Sequence, residues 1–136
     1  QIYLKEKTTG RKNKTVVVTC LENEYHQIGA RMVSDLFEMN GWEVLFLGAN
    51  TPKKDLVNYV RMTHPNLVAI STSIYFHLPT LENTLSMIKN EFPEIKVLIG
   101  GQAFLRGGKE VISKYPNVYY LPDLNSVETY LNEPTK

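Results

Sequence analysis

Glu24 and His26 stand two residues apart in a polar stretch, and Gly29 follows three residues later. A carboxylate so placed can accept the proton of one imidazole nitrogen. The tautomer is then fixed, and the other nitrogen is left as a lone-pair donor to a metal. Glycine at 29 lets the backbone turn closely beneath a bulky group. A solvated histidine beside a chance carboxylate would read the same, so the weight rests on where the fold puts the triplet.

The elements around it alternate. Thr15–Cys20 is short, β-branched and apolar on both faces, as a buried parallel strand is. Ile28, Met32, Val33, Leu36, Phe37 and Met39 then fall at helical spacing until Asn40-Gly41. Glu43–Gly48 reads as a second strand. Pro52 opens a second helix, with Leu56, Val57, Val60 and Met62 on its apolar side and His64-Pro65 at its end. Leu67–Ser71 is the third strand, followed by a helix from Leu78-Pro79. Ile95–Ile99 is the fourth strand, Gly108–Tyr115 a short helix, Asn117–Leu121 the fifth strand and Leu124–Leu131 the last helix. Five strands alternating with five helices predict an α/β domain with a parallel sheet covered on both faces. The common solution is the doubly wound, flavodoxin-like (Rossmann-like) order 2-1-3-4-5. Ligands of such sheets bind beyond the carboxyl ends of the strands, where strands 1 and 3 diverge.

That edge holds Glu24, His26 and Gly29 after strand 1, Ser71 and Ser73 after strand 3, and Gly100-Gly101 after strand 4. Three common occupants of the fold fail there. A phosphorelay receiver needs an aspartate at the end of strand 3, where this chain has Ser71-Thr72-Ser73. A flavin phosphate needs a small, hydroxyl-rich loop after strand 1, where this chain is bulky and acidic. A dinucleotide needs a Gly-x-Gly-x-x-Gly turn, which is absent. Ser71 is placed to donate a hydrogen bond to Glu24. Gly100-Gly101 would let a large flat ligand or its tail approach the backbone.

Glu24-x-His26-x-x-Gly29, Ser71-x-Ser73 and Gly100-Gly101 together resemble the Asp-x-His-x-x-Gly, Ser-x-Leu, Gly-Gly pattern of cobalamin-binding domains. The resemblance runs from about Thr15 to Leu131. It implies that His26 is the lower axial ligand to cobalt, displacing the dimethylbenzimidazole base, with Glu24 orienting His26 and Ser71 extending the relay. The displaced nucleotide tail would run past Ser73, Gly100 and Gly101, between apolar walls from Ile70, Ile74, Val97 and Ile99. Two positions depart from the pattern: Glu24 replaces the usual Asp, and Ser73 the usual Leu. With the run Ser71–Leu81, the text is more similar to light-sensing transcription regulators than to corrinoid methyl carriers, which show Gly-Lys-Asn where this chain has Gly29-Ala30-Arg31. The resemblance therefore implies a non-catalytic sensory or regulatory module of a larger protein, light- or cobalamin-responsive, as in a photoreceptor for transcription regulation, holding adenosylcobalamin or methylcobalamin. The alternative is a corrinoid carrier domain of a methyltransferase system. A module that has lost its ligand is the third reading.

Composition sets the remaining bounds. The chain has 136 residues, 43% hydrophobic and 21% charged, enough for one domain with its own core. Residues 1–14 carry five cations against Glu6, a charge of +4, and the remainder carries −3 within the net +1. A solvated linker over 1–14 and a cobalamin-binding domain over 15–133 follow as expectations. The balance argues against a nucleic-acid partner. The lone Cys20 excludes an internal disulfide and fits a reducing, cytoplasmic setting. No apolar run has the length of a membrane span. The start at Gln1 points to a piece of a longer protein, whose upstream cap or output domain would be a partner; a homo-oligomer is left open. Cys20 reads as a core thiol, Trp42 as a core anchor, and Tyr119 and Tyr120 as strand packing. His64 reads as a helix-end residue, and His77 lies on the ligand edge.

Overall fold

The computed structural model describes residues 13–21, 27–72, 78–101 and 108–133. Five strands, β1 (Thr15–Cys20), β2 (Glu43–Gly48), β3 (Leu67–Ser71), β4 (Lys96–Gly100) and β5 (Val118–Tyr120), form one parallel sheet in the order β2-β1-β3-β4-β5. The expected topology stands. Between the strands run α1 (Ile28–Met39), α2 (Lys53–Thr63), α3 (Leu78–Glu91) and α4 (Gly108–Ser113), and α5 (Leu124–Leu131) closes the chain.

The central strands are apolar on both faces because both faces are covered. On one, Val17, Val68, Ile70, Val97 and Ile99 pack under α2, α3 and α4 through residues such as Leu56, Leu85 and Ile112. On the other, Val16, Val18, Leu67, Ala69 and Leu98 pack under α1 and α5 through Ala30, Phe37, Val127 and Leu131. Cys20 is buried in this second cluster. Trp42 anchors its lower end, edge-to-face with Phe37 at 5.0 Å, and the Lys14 ammonium lies 5.6 Å from the indole centroid.

Two helix faces differ from the spacing argument. Ile28 is 75% exposed and Met32 45%, because the sheet-facing stripe of α1 is Ala30, Ser34 and Phe37. Ile28 lies two residues, about 200°, round the helix from Ala30. Met62 of α2 likewise points outward, while Leu56, Val57 and Val60 are buried. The exposed α2 and α3 surfaces are joined by a two-pronged ion pair from Arg61 Nε and Nη2 to the Glu91 carboxylate, at 2.6 and 2.7 Å. His64 ends α2 in the left-handed conformation, its N–H donating to Val60 O at 2.9 Å. Lys89 is buried and donates to the carbonyls of Pro93 and Ile95, fixing the turn from α3 into β4. Desolvation pushes its pKa down, partly offset by Glu94.

α5 starts on a side-chain cap. Asp123 Oδ1 accepts from Ser126 N and from Ser126 Oγ, both at 2.8 Å. These bonds, the backbone one first, hold the Asp123 carboxyl below its ordinary value of 3.8. A depressed folded pKa means that the contribution to stability is complete above the unfolded value and fades as pH falls through the folded one. Asp123→Asn keeps an acceptor and removes the titration. Its melting temperature is expected to fall less steeply than wild type below about pH 4. Parallel acid limbs in the two thermal melts would take Asp123 out of the acid sensitivity.

Candidate functional site

Three strands end level at the carboxyl edge. Cys20, Ser71 and Gly100 are in register across β1, β3 and β4, and so are Val18, Ala69 and Leu98 two residues below. Side chains alternate along a strand, so both rows face the same side of the sheet, toward α1 and α5. On this face β3 reads Ser71, Ala69, Leu67: two small side chains above a large one fully buried in the core. Gly29, Ala30 and Val33 of α1 and Val127 of α5 stand opposite. The small residues leave a slot of about 420 Å³ that opens at the strand ends. A side chain at Gly29 would reach only ordinary contact, 3.8 Å from Ser71 Oγ, so the protein's own packing leaves room there.

The rim is more constrained. Gly101 has φ +119°, and a Cβ there would overlap Thr72 O and lie 2.8 Å from Thr72 C. Thr72 N and Thr72 Oγ1 both donate to Gly100 O at 2.9 Å. Tyr120 Oη donates to Gly101 O at 2.9 Å from the far side. Desolvation, aided by the Asp123 charge, raises the Tyr120 pKa and keeps the phenol a proton donor. Both glycine carbonyls thus accept from hydroxyls, which tie Gly100 to Thr72 and Gly101 to Tyr120. Leu21 N donates to Ser71 O at 3.1 Å, so the chain leaves β1 directly beside Ser71.

Of the residues singled out in the sequence, Gly29, Ser71, Gly100 and Gly101 line this one slot. Glu24, His26 and Ser73 lie outside the described residues, as do Ile74 and His77. The expected walls stand in part: Ile70 and Ile99 line the slot and Val97 does not. Val18, Ala69 and Leu98 line the slot. Ile70 and Ile99 touch it, but they pack in the cluster under α2, α3 and α4, and Val97 belongs to that opposite face too. The reason is parity: Ile70 and Ile99 sit one residue away from Ala69 and Leu98 and so point through the sheet. Thr72 and Ala69 went unrecognised in the sequence, and Tyr120, read there as strand packing, also holds the rim. Ala69 carried the one available signal, an alanine among the valines, leucines and isoleucines of a central strand.

Among the described residues, the slot's polar side chains, Ser71, Thr72 and Asp123, sit at its mouth, and those below them are hydrocarbon. Such a site suits a flat apolar group entering from above the sheet edge, with polar atoms left at the rim. No three His, Cys, Asp or Glu among the described residues gather in metal-binding geometry. No helix among them is long and apolar enough to cross a membrane.

Residues 14–121 match the family described as B12 binding domain. Dimethylamine corrinoid protein 1 of Methanosarcina acetivorans is 26% identical over 98 residues, which are 71% of this chain and 46% of that protein. The chain spans about half the length of the curated relatives it matches. Among solved structures, the monomethylamine corrinoid protein of Methanosarcina barkeri is similar with a TM-score of 0.74 at 16% identity, over 95% of this chain and 62% of that one. A chain of the methanol:cobalamin methyltransferase complex of the same organism is similar with a TM-score of 0.70 at 18% identity, over 95% and 56%. At these identities the structural likeness speaks for the fold.

Proposed function

This chain belongs to the B12-binding domain family and binds cobalamin, and from that premise we propose that it is the corrinoid-carrying module of a methyl-transfer system, with His26 as the lower ligand to cobalt. The observation that carries the reading is the slot at the carboxyl edge, opening at the level of Ser71 and Gly100 beside the β1–α1 connection that contains Glu24-x-His26. The residues fit the group. Small side chains at 29, 30 and 69 leave a dry recess deep enough for a nucleotide base, and the fixed Gly100-Gly101 turn lets a phosphoribosyl tail pass close to the backbone. In this reading Glu24 accepts the proton from one nitrogen of His26 and fixes the tautomer that presents the other nitrogen to the metal. Ser71 donates to Glu24, and Ser73 lies along the tail. The bound corrinoid supplies a cobalt that can carry a methyl group; the protein holds it, orients it and keeps water from its lower face.

Of the two functions read from the sequence, the relatives favour the carrier over the light-responsive regulator. They are named for dimethylamine and trimethylamine, and a structural relative is a complex with a methyltransferase. The partner is accordingly proposed to be a methyltransferase, and the methyl donor a methylated amine or alcohol.

The test is spectroscopic and chemical. The full chain is loaded with cobalamin and reduced to the Co(II) state, with its histidines carrying nitrogen-15. Coupling of the cobalt electron spin to the labelled nitrogen is expected in wild type and absent in His26→Ala. In the presence of a methyltransferase of the relatives' type, the loaded wild type should take up one labelled methyl group per cobalt from its methylated amine. Nitrogen coupling that survives in His26→Ala would remove His26 from the cobalt. Intact ligation without methyl uptake from amine or alcohol donors would remove the carrier role.

A further inference from the structure

We infer that the slot selects among cobamides by the chemistry of their lower base, accepting an apolar-edged ring and rejecting a purine. This rests on the reading that the nucleotide tail enters the slot. The deep part of the slot is lined by Val18, Ala69 and Leu98 on the sheet side and by Ala30, Val33 and Val127 on the helix side, and none of these side chains has a hydrogen-bonding group. The three polar side chains among the described lining residues are at the mouth. Ser71 stands two residues above Ala69 along β3, about 7 Å away. Thr72 Oγ1 is committed to Gly100 O, and Asp123 Oδ1 to Ser126. The backbone around the floor is engaged in the ladders of β1, β3 and β4.

A benzimidazole carrying methyl groups, or a cresol ring, presents only hydrocarbon at its leading edge and leaves no polar atom of that edge unpaired on entering. Adenine presents an exocyclic amine and ring nitrogens. In water these are hydrogen-bonded, and in this slot they meet valine, leucine and alanine. An unpaired buried polar group of this kind costs about 10- to 100-fold in affinity. Size does not account for the same order, since dimethylbenzimidazole is at least as bulky as adenine.

The experiment is equilibrium dialysis of the full chain against four corrinoids, read by corrin absorbance: cobalamin, cresolyl cobamide, adeninyl cobamide and cobinamide, which has no nucleotide tail. Cobalamin and cresolyl cobamide are expected to bind within a few-fold of each other, and adeninyl cobamide about 10- to 100-fold more weakly. Adeninyl cobamide binding as tightly as cobalamin, with both tighter than cobinamide, would overturn the selectivity and leave the tail in the slot. Cresolyl cobamide binding as weakly as adeninyl cobamide would also overturn it, since a ring with an apolar edge would then be rejected. Cresolyl cobamide, whose ring does not bind cobalt, binding no tighter than cobinamide would instead overturn the placement of the tail on which the inference stands.

Discussion

Ala69→Leu is expected to lower the affinity for cobalamin by more than about 100-fold while the protein stays folded. Ala69 is the centre of the row Val18–Ala69–Leu98, and the slot exists because this position is small. Leucine adds three carbons into the recess where the proposed tail base would lie. Loss of that buried ring removes about 0.025 kcal/mol for every Å² it would have covered, or about 3 kcal/mol for a ring burying on the order of 120 Å². The cost to the fold is smaller. Overpacking a filled core destabilises by about 1–3 kcal/mol, and here the new side chain enters existing space, so the lower end applies. A domain with about 5–15 kcal/mol of stability tolerates that. Binding is measured by dialysis and folding by far-ultraviolet circular dichroism. Cobinamide provides the control, because it has no tail to displace: its affinity should change by no more than a few-fold. An equal loss for cobalamin and cobinamide would mean that the slot does not hold the tail.

Gly101→Val and Gly29→Ala are expected to act in opposite directions on stability. At Gly101 the backbone has φ +119°, which costs a residue with a side chain about 1–3 kcal/mol. The added Cβ would also collide with the Thr72 carbonyl, a backbone group held in place by the bonds from Thr72 to Gly100. Together these should destabilise by about 3 kcal/mol or more, which for a domain of this size lowers the melting temperature by about 10 °C. Gly29 lies in the first turn of α1, where alanine is the better helix former by up to about 1 kcal/mol, and its methyl would meet Ser71 Oγ at 3.8 Å without strain. Gly29→Ala should therefore melt at or slightly above wild type, yet bind cobalamin less well because it narrows the slot mouth. A Gly101→Val protein as stable as wild type would show that the rim can rearrange. A Gly29→Ala protein with unchanged cobalamin affinity would show that the ligand does not pass between α1 and Ser71.

The two glycines show how differently the letters of a motif are determined. Both belong to the pattern Gly29, Ser71, Gly100-Gly101, and both were legible as candidates because each follows a predicted strand at the carboxyl edge. What each glycine does was not legible. Gly101 is required by the protein's own backbone, through Thr72, which is distant in sequence. Gly29 is not required by the protein's packing at all, and its missing side chain is space left for something else.

The amino-acid pattern was enough for the alternation of strands and helices, the parallel order and the sheet edge at which the candidate slot opens. Strand length, glycine and proline punctuation and the chirality of βαβ connections admit few other solutions. It also carried the motif that places the chain in its family. The tertiary structure alone decided which residues form the slot. Every central strand is apolar on both faces, so alternation leaves no mark in the sequence; Ile70 and Ile99 reach the slot only from the opposite cluster, Val97 does not reach it, and Val18, Ala69 and Leu98 make the row that faces it. The same holds for Ile28 and Met32, which match a helical period but face outward, since the side of α1 that meets the sheet is fixed by where α5 and the small residues of β3 allow it to settle. Periodicity records that a face is buried; which partner buries it depends on contacts between segments far apart in the chain.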